Sequence, residues 1–405
     1  MTSELFGVRL RPQQADVLAY EGGRLAVSAV PGSGKTLTLA LLAARLIVSG
    51  RVGDESEVLV VTVQNSAVGN IAERIRDILH AQRLPPVGYK VCTLHKLASD
   101  LLRMRYDLAG VEEGVPIVDE AEARRLMHMA ADTWVAENRA WWQSLLPADE
   151  HGPRPDTLRR WRDETERIGR EVTKLCKHLR LRPAEAEALA HGETAADEFV
   201  RIGLGLYAHY ARYLEARGGL DFDDLIWRAI VAIAQDETFL LHLRRRWPYI
   251  LEDEAQDSTP LQEAVLHRLA GEAGGWVRVG DPNQSINSTF TAADPRYFRR
   301  FQRQADVRAL SLLESGRCGA PIIALANHLV AWTCRAHPEP DVRDWAFEPQ
   351  AILPTGVGDP QRNPPANECR VYFLDTPFPD VAAQADQAAD WAAGYIRRYP
   401  ERSAA

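Results

Sequence analysis

Short apolar runs recur along most of the chain, each followed by a longer stretch whose apolar residues fall three and four apart. The short runs, rich in β-branched residues and closed by turn formers, read as buried strands; the longer period reads as helices. This alternation predicts strands at 24–30, 57–63, 89–93, 248–252, 276–280, 307–312 and 370–375. Helices are expected from Lys35 to Ile47 and over 66–81, 96–106 and about 380–398. Strands followed by helices argue for an α/β fold on a parallel sheet. From about residue 111 to 220 the texture changes to Ala, Glu, Arg and Trp, without a strand pattern. "EAEARRLMHMAADTWVAENRAWWQSLL" and "ADEFVRIGLGLYAHYARYLEARG" both have helical spacing, so a helical subdomain is expected inside the α/β core. Its tryptophan pairs read as core packing. Pro338, Pro340, Pro349, Pro354, Pro360, Pro364 and Pro365 mark a segment before the last strand and helix patterns.

Composition narrows the class only a little. At 405 residues the chain has room for two or three cores, and 46% apolar with 26% charged residues is ordinary for a globular protein. No apolar run is long enough to span a bilayer, and "MTSELFGVRLR" has no signal-peptide core, so no membrane partner is expected. Five scattered cysteines without metal-ligand spacing suggest a reducing compartment, and a cytoplasmic protein is expected. The net charge of -8 does not exclude nucleic acid, because local basic patches decide phosphate affinity. Arginines and lysines between 154 and 182 could form such a patch or a solvated helix face, and both readings stay open.

"AVPGSGKT", residues 29–36, carries the strongest chemistry. A Gly-rich turn between a strand and a helix start points backbone N–H groups at one spot, at the positive end of the helix dipole. Gly32, Ser33 and Gly34 would cradle a polyphosphate, Lys35 would meet the terminal phosphates, and the Thr36 hydroxyl would take a place on Mg2+. The usual first glycine of this pattern is Ala29 here. "YILEDEAQDS" delivers Asp253 and Glu254 at the end of a strand, where ligands bind in open α/β sheets. Asp253 suits the Mg2+ shell and Glu254 suits the base that polarises an attacking water. In "VRVGDPNQSI", Gln284 is placed to sense a γ-phosphate, and in "SGRCGAP" Arg317 is placed to clamp transition-state charge. Gln14 of "LRPQQADVLAY" has an amide able to read an adenine edge. ATP and Mg2+ are the expected cofactors.

In order along the chain, "RPQQADVL", "AVPGSGKT", "VTVQNSAVGNIAERI", "VCTLHKLASDLLR", "LDFDDLI", "ILEDEAQDS", "VGDPNQSINSTFTAADP" and "ESGRCGAPIIALANHLV" resemble the successive motifs of the UvrD/Rep/PcrA family of superfamily 1 DNA helicases. The resemblance covers residues 8 to about 330. It implies RecA-like domains with ATP between them, helical insertions, and translocation along single-stranded DNA, usually 3′ to 5′, with duplex DNA met at a junction. By position it assigns Gln14 to the adenine, Lys35 and Thr36 to the P-loop pair, Asp253 and Glu254 to the magnesium and base carboxylates, Gln284 to the γ-phosphate sensor and Arg317 to an arginine finger. It assigns Thr62, Asn65, Thr93 and His95 to strand tracking, by hydrogen bonds to phosphate oxygens. Expected domains are 1–110 with 221–300 as the RecA-like ATP-binding domain, 111–220 as the helical insert, and 301–405 as the truncated beginning of a second RecA-like domain.

Several positions depart from the family. Val63 and Asn287 stand where relatives carry base-stacking aromatics, with Phe290 as the substitute ring; stacking is worth about 1–3 kcal/mol per base. Gly316 stands at a common tyrosine position, and Ser66 replaces a lysine. The family's second lobe continues well beyond the motifs present, so this chain is expected to be an N-terminal portion that does not unwind DNA alone. A motor subunit of a helicase–nuclease or defence complex with a protein partner, a nucleotide-dependent DNA-binding module and a small-molecule P-loop kinase remain as alternatives.

Overall fold

The computed structural model describes residues 4–146, 154–190, 195–272, 274–285, 294–369 and 371–400. A two-residue hairpin, β1 (Glu4–Leu5) and β2 (Val8–Arg9), leads into α1 (Pro12–Leu18), β3 (Arg24–Ala29) and α2 (Lys35–Val48). Two more strand–helix units follow: β4 (Val58–Thr62) with α3 (Asn65–Ala81), and β5 (Tyr89–Thr93) with α4 (Leu94–Met104) and α5 (Tyr106–Ala109). The helical stretch contributes α6 (Glu120–Glu137), α7 (Arg139–Ser144), α8 (Pro155–His178), α9 (Pro183–Leu189) and α10 (Ala195–Ala216). The chain returns through α11 (Phe222–Gln235), α12 (Glu237–Arg246), β6 (Tyr249–Glu252), α13 (Pro260–Ala270), β7 (Gly275–Gly280), α14 (Pro295–Gln302) and β8 (Val307–Leu312). Beyond these lie β9 (Glu314–Ser315), α15 (Ala320–Ala336), α16 (Pro340–Trp345), β10 (Leu353–Pro354) and α17 (Val381–Arg398). Among the described residues no helix is long and apolar enough to cross a membrane.

Strands β3 to β8 form one six-stranded sheet in the order β5-β4-β6-β7-β3-β8, every pair parallel. Alternation along each strand splits the interior in two. Val58 and Val60 of β4 join α1, α2 and α3 on one face, whereas Leu59 and Val61 join α4, α11, α12 and α13 on the other. Helices on both faces leave the four inner strands, β4, β6, β7 and β3, buried on both sides, which explains their near-continuous apolar runs, whereas the edge strands β5 and β8 stay partly exposed.

Two expectations need correcting. Strand β8 pairs with β3 along Arg24↔Val307 to Ala29↔Leu312, so the main sheet runs past the expected boundary at residue 300. Residues 371–375 form no strand, and Tyr372 and Phe373 are exposed. A single strand with no neighbour gains no ladder of hydrogen bonds to offset its ordering.

Helices α6 to α10 have their own core, centred on Trp134, Trp142, Ile202, Leu206 and Tyr210. Gly203 faces Val172, and Gly205 faces the Trp134 indole, so closely that neither position has room for a side chain. The basic run on α8 is largely matched by acids: Arg162 with Asp132 and Glu166, Arg167 with Glu164, Arg170 with Glu166. That pairing supports a solvated helix face over a bare phosphate-binding patch.

At the base of the helical stretch, Leu220 accepts from the Val118 amide and donates to the Pro116 carbonyl, and one buried ion cluster ties the stretch to α11. Lys177 of α8 donates to Asp221 at 2.5 Å and Asp224 at 2.8 Å, and the Tyr210 hydroxyl donates to Asp221 at 2.7 Å. Asp221 also caps α11 by accepting from the Asp224 amide. Burial alone would lower the Lys177 pKa, but Asp221 and Asp224 outweigh it and hold the ammonium above the usual lysine range. Asp224 is pushed up to about 6, mainly by burial. Replacing Lys177 with Met leaves two buried carboxylates without a cation. The expected loss is about 3–5 kcal/mol of unfolding free energy in denaturant titrations at pH 8. It should shrink towards pH 4, where protonation relieves the carboxylates. An equal loss at both pH values would remove the charge explanation.

Candidate active site

Apart from Gln14, which lies on α1, the described candidate groups sit at or just past the C-terminal end of a strand in the same sheet, so parallel pairing gathers them at one edge. After β3 the chain turns through Gly32 and Gly34, with φ of +75° and +87°, conformations that strongly favour glycine. A Cβ at Gly32 would lie 2.5 Å from the Arg317 Cβ and 2.7 Å from the Ser315 Oγ. The bare glycine therefore lets the segment after β8 rest directly on the turn. The turn hands over to α2 at Lys35, whose dipole points at the same place.

Across the edge, β6 ends in Glu252 and delivers Asp253 and Glu254. Lys35 Nζ meets Glu254 Oε2 at 2.6 Å, and Thr36 Oγ1 lies 3.5 Å from Asp253 Oδ2. Glu254 has φ +57°, a left-handed conformation uncommon for a side-chain-bearing residue and a local strain of the kind found at functional sites. Its own amide donates to Asp253 Oδ1 at 3.1 Å. Asp253 is pushed up to about 6, first by burial and then by the neighbouring Glu254, with Lys35 pulling the other way.

Behind the acidic pair, Glu252 is held by a fully buried Arg278, at 2.7 Å from Nε and 3.1 Å from Nη2. Ser258 donates to the same carboxylate. Arg278 also reaches Glu263 at 2.7 Å and lies over the Trp276 and Phe301 rings. This fork geometry fixes the end of β6 and with it the direction of the next two carboxylates.

Gln256 was not singled out from sequence, yet it joins the two halves of the site. Its Nε2 donates to Glu254 Oε2 at 2.8 Å, and its Oε1 accepts from the Asp281 amide at 3.0 Å. Gly280 leaves room for it, since a Cβ there would lie 2.6 Å from the Gln256 Oε1. Asp281, also missed, is pushed up to about 6 by burial. The signal available was a glutamine two residues past the acidic pair, which has no meaning until β6 and β7 are neighbours.

The structure brings together Gln14, Gly32, Ser33, Gly34, Lys35, Thr36, Asp253, Glu254 and the backbone of Arg317. Gln14 is buried beside the turn: Nε2 donates to the Ser33 carbonyl at 3.3 Å and Oε1 accepts from the Arg11 amide at 3.0 Å. One amide hydrogen and one lone pair are left over. Arg317 is exposed, and its amide faces Ser315 Oγ at 3.4 Å. Gln284 is exposed in the turn after β7, where its amide donates to the Asp281 carbonyl.

Thr62 and Thr93 end the paired strands β4 and β5, in register with each other. Thr62 is buried and its hydroxyl has no partner among the described residues. The Thr93 hydroxyl already accepts from the Lys96 amide as the cap of α4. Asn65 is exposed at the start of α3, and His95 packs edge-on against Phe222 at 5.2 Å. Phe290 and Asn287 lie outside the described residues.

The donor set fits a nucleotide-borne magnesium ion. Asp253 is a buried, desolvated carboxylate beside a hydroxyl, which are hard oxygen donors, and Ser33 has a buried hydroxyl without a partner in the turn. Among the described residues no three metal-ligating side chains cluster. Mg2+ needs no such cage, since phosphates and water complete its shell.

A family model for the UvrD/REP helicase N-terminal domain matches residues 10–306. The chain is 28% identical over 336 residues to the ATP-dependent DNA helicase UvrD1 of Mycobacterium tuberculosis, covering 80% of this chain and 39% of that one. It is 29% identical over 339 residues to UvrD2 of the same organism, covering 80% and 43%. Against the ATP-dependent DNA helicase Rep of Escherichia coli it is 26% identical over 328 residues, again covering 80% and 43%. The chain thus spans about two-fifths of the length of these relatives.

Burying Asp253 gives a testable cost. Its raised pKa means the folded state holds a proton that the unfolded chain has released, so its contribution to stability falls as pH rises from about 4 to about 6. Without metal or nucleotide, and with a chelator present, Asp253→Asn should therefore raise the thermal midpoint at pH 8 and leave it unchanged at pH 4. A lower midpoint at pH 8 would refute this account of the site.

Proposed function

The chain belongs to the UvrD/REP helicase family, and from that premise we propose that it binds ATP with Mg2+ at the Lys35–Glu254 edge and couples hydrolysis to movement along single-stranded DNA. The polarity proposed is 3′ to 5′, with the work done in the cytoplasm. One observation carries the reading: the glycine turn and the acidic pair meet at one edge of the sheet, with Lys35 Nζ 2.6 Å from Glu254 Oε2.

The residues divide the work. Without nucleotide, Lys35 and Glu254 neutralise each other. A terminal phosphate offers Lys35 a stronger anion, and the lysine's departure leaves the Glu254 carboxylate held by Gln256 alone and able to polarise water. Gln256 keeps that carboxylate aimed while its other end holds β7. Thr36 and Asp253 would hold Mg2+, which supplies charge neutralisation at the β- and γ-phosphates. Arg317, poised against Gly32, is assigned to the charge that develops on the transferred phosphoryl group. Gln14 keeps a spare donor and acceptor for the adenine edge. Asn65 and His95 are the proposed phosphate contacts for DNA.

A second reading is supported by the burial of Thr62 and the engagement of Thr93. With these two hydroxyls withdrawn, the DNA side can serve a motor subunit that grips in an ATP-dependent way and needs a partner to separate strands.

Substitution separates the steps. Lys35→Ala should lose nucleotide affinity outright. Glu254→Gln should still bind ATP while hydrolysis falls by on the order of 100-fold or more. Equilibrium nucleotide binding beside phosphate release checks both, and normal turnover by Glu254→Gln would remove the base assignment. Wild-type hydrolysis should rise when single-stranded DNA is added. Hydrolysis indifferent to DNA would favour a small-molecule kinase over a motor.

A further inference from the structure

The terminal phosphates belong on the β6 side of the turn, beside Lys35 and Glu254, so the nucleoside must extend towards α1 and β8. That side is closed by a strap formed by residues 348–363. It begins at Asn283, which exchanges two hydrogen bonds with the Glu348 backbone at 3.0 and 2.8 Å. It then passes Ser28 of β3, which bonds Gln350, and pairs β10 with β9 in parallel. Asn363 ties its far end to the carbonyls of Ser315 and Cys318, at 2.5 and 2.8 Å. In between, the strap lies on Gly316 so closely that a Cβ there would overlap the Gln361 carbonyl. This accounts for the missing tyrosine: backbone occupies the space a ring would take.

One arginine fastens the strap to the nucleotide turn. Arg11 Nε and Nη2 meet the two Asp359 oxygens at 2.8 and 3.2 Å, and both side chains are only 10% exposed. Arg11 Nη1 donates to the carbonyls of Ser33, in the turn, and Glu314, after β8, at 3.2 and 2.9 Å. Nη2 also approaches Gln361 Oε1 at 3.4 Å. All five guanidinium hydrogens are thereby used, so Arg11 has none left for a base. Its backbone amide, however, holds Gln14 Oε1, and Gln14 Nε2 shares the Ser33 carbonyl with the Arg11 guanidinium.

We propose that Asp359 and Arg11 are positioning residues that latch the 355–361 strap as the outer wall of the nucleobase slot, setting affinity for the nucleoside part of ATP and not for its phosphates. The inference rests on the nucleotide-binding reading of the same site. Asp359 acts through Arg11, and Arg11 acts through Gln14 and the Ser33 carbonyl. Neither touches the reacting phosphate.

The test compares ATP with inorganic tripolyphosphate, which has the phosphates and no base, on the full chain with Mg2+. Wild-type binding is measured first: failure to bind either ligand ends the nucleotide-site reading itself, and the latch with it. Given wild-type binding, Asp359→Asn should weaken ATP by on the order of tenfold, the loss of one charge-assisted fork, while tripolyphosphate moves less than about twofold. KM for ATP should rise far more than kcat falls. Arg11→Lys, which keeps the charge but not the fork, should behave the same way. Hydrogen exchange should quicken at amides 355–361 and remain slow in α2, which separates unlatching from general unfolding. Equal weakening of both ligands, no change in either, tighter ATP binding, or a strap that exchanges no faster would each overturn the proposal.

Discussion

The arrangement at the sheet edge depends on one ion pair, Lys35 with Glu254, and on the sheet order that permits it. The lysine follows β3 and the glutamate follows β6, with β7 between them. Parallel strands put both C-terminal ends at the same edge, so two segments more than two hundred residues apart in sequence meet without a long reach. The pair is partly open to solvent, with side-chain exposures of 12% and 34%. A pair this exposed contributes modestly to stability, which is compatible with its exchange for a more highly charged anion.

Much of this was readable before the fold was known. Six of the seven expected strands are present, and the four inner ones are buried on both faces and leave a nearly unbroken apolar run that sequence shows directly. The turn at Gly32 and Gly34 and the acids at Asp253 and Glu254 were legible because backbone geometry and charge each dictate residue type there. What escaped was relational. Gln256 links Glu254 to Asp281 only because β6 and β7 are adjacent, and a glutamine carries no period or turn signal of its own. The strand expected at 370–375 failed for the opposite reason: its pattern was present, but no partner strand lies alongside it.

The helical stretch shows how charge can mislead when counted along a sequence. The α8 arginines look like a phosphate-binding stripe in one dimension. In three they are spent on acids of α6 and α8 itself. The cation with most structural consequence is Lys177, which is nearly inaccessible and reaches α11. Helix α11 packs on α4, and Phe222 at its start touches His95. A rigid chain of contacts therefore runs from the helical stretch to one of the proposed DNA contacts without passing through the nucleotide site.

The residues of the site are arranged against the stability of the fold, which suits groups that serve a bound ligand. Asp253 and Asp281 are both buried carboxylates with raised pKa values, and Glu254 sits in a strained backbone conformation. Each is a local cost borne by the surrounding sheet, whose Arg278–Glu252 fork and apolar layers are fully buried. A bound cation would relieve the carboxylates, so its binding would recover free energy that folding alone leaves unrecovered. The groups that would gain from nucleotide lie at the ends of β6 and β7, and Gln256 ties those ends together. A change in charge at Glu254 therefore has a direct mechanical route, through one amide side chain, to the turn carrying Gln284.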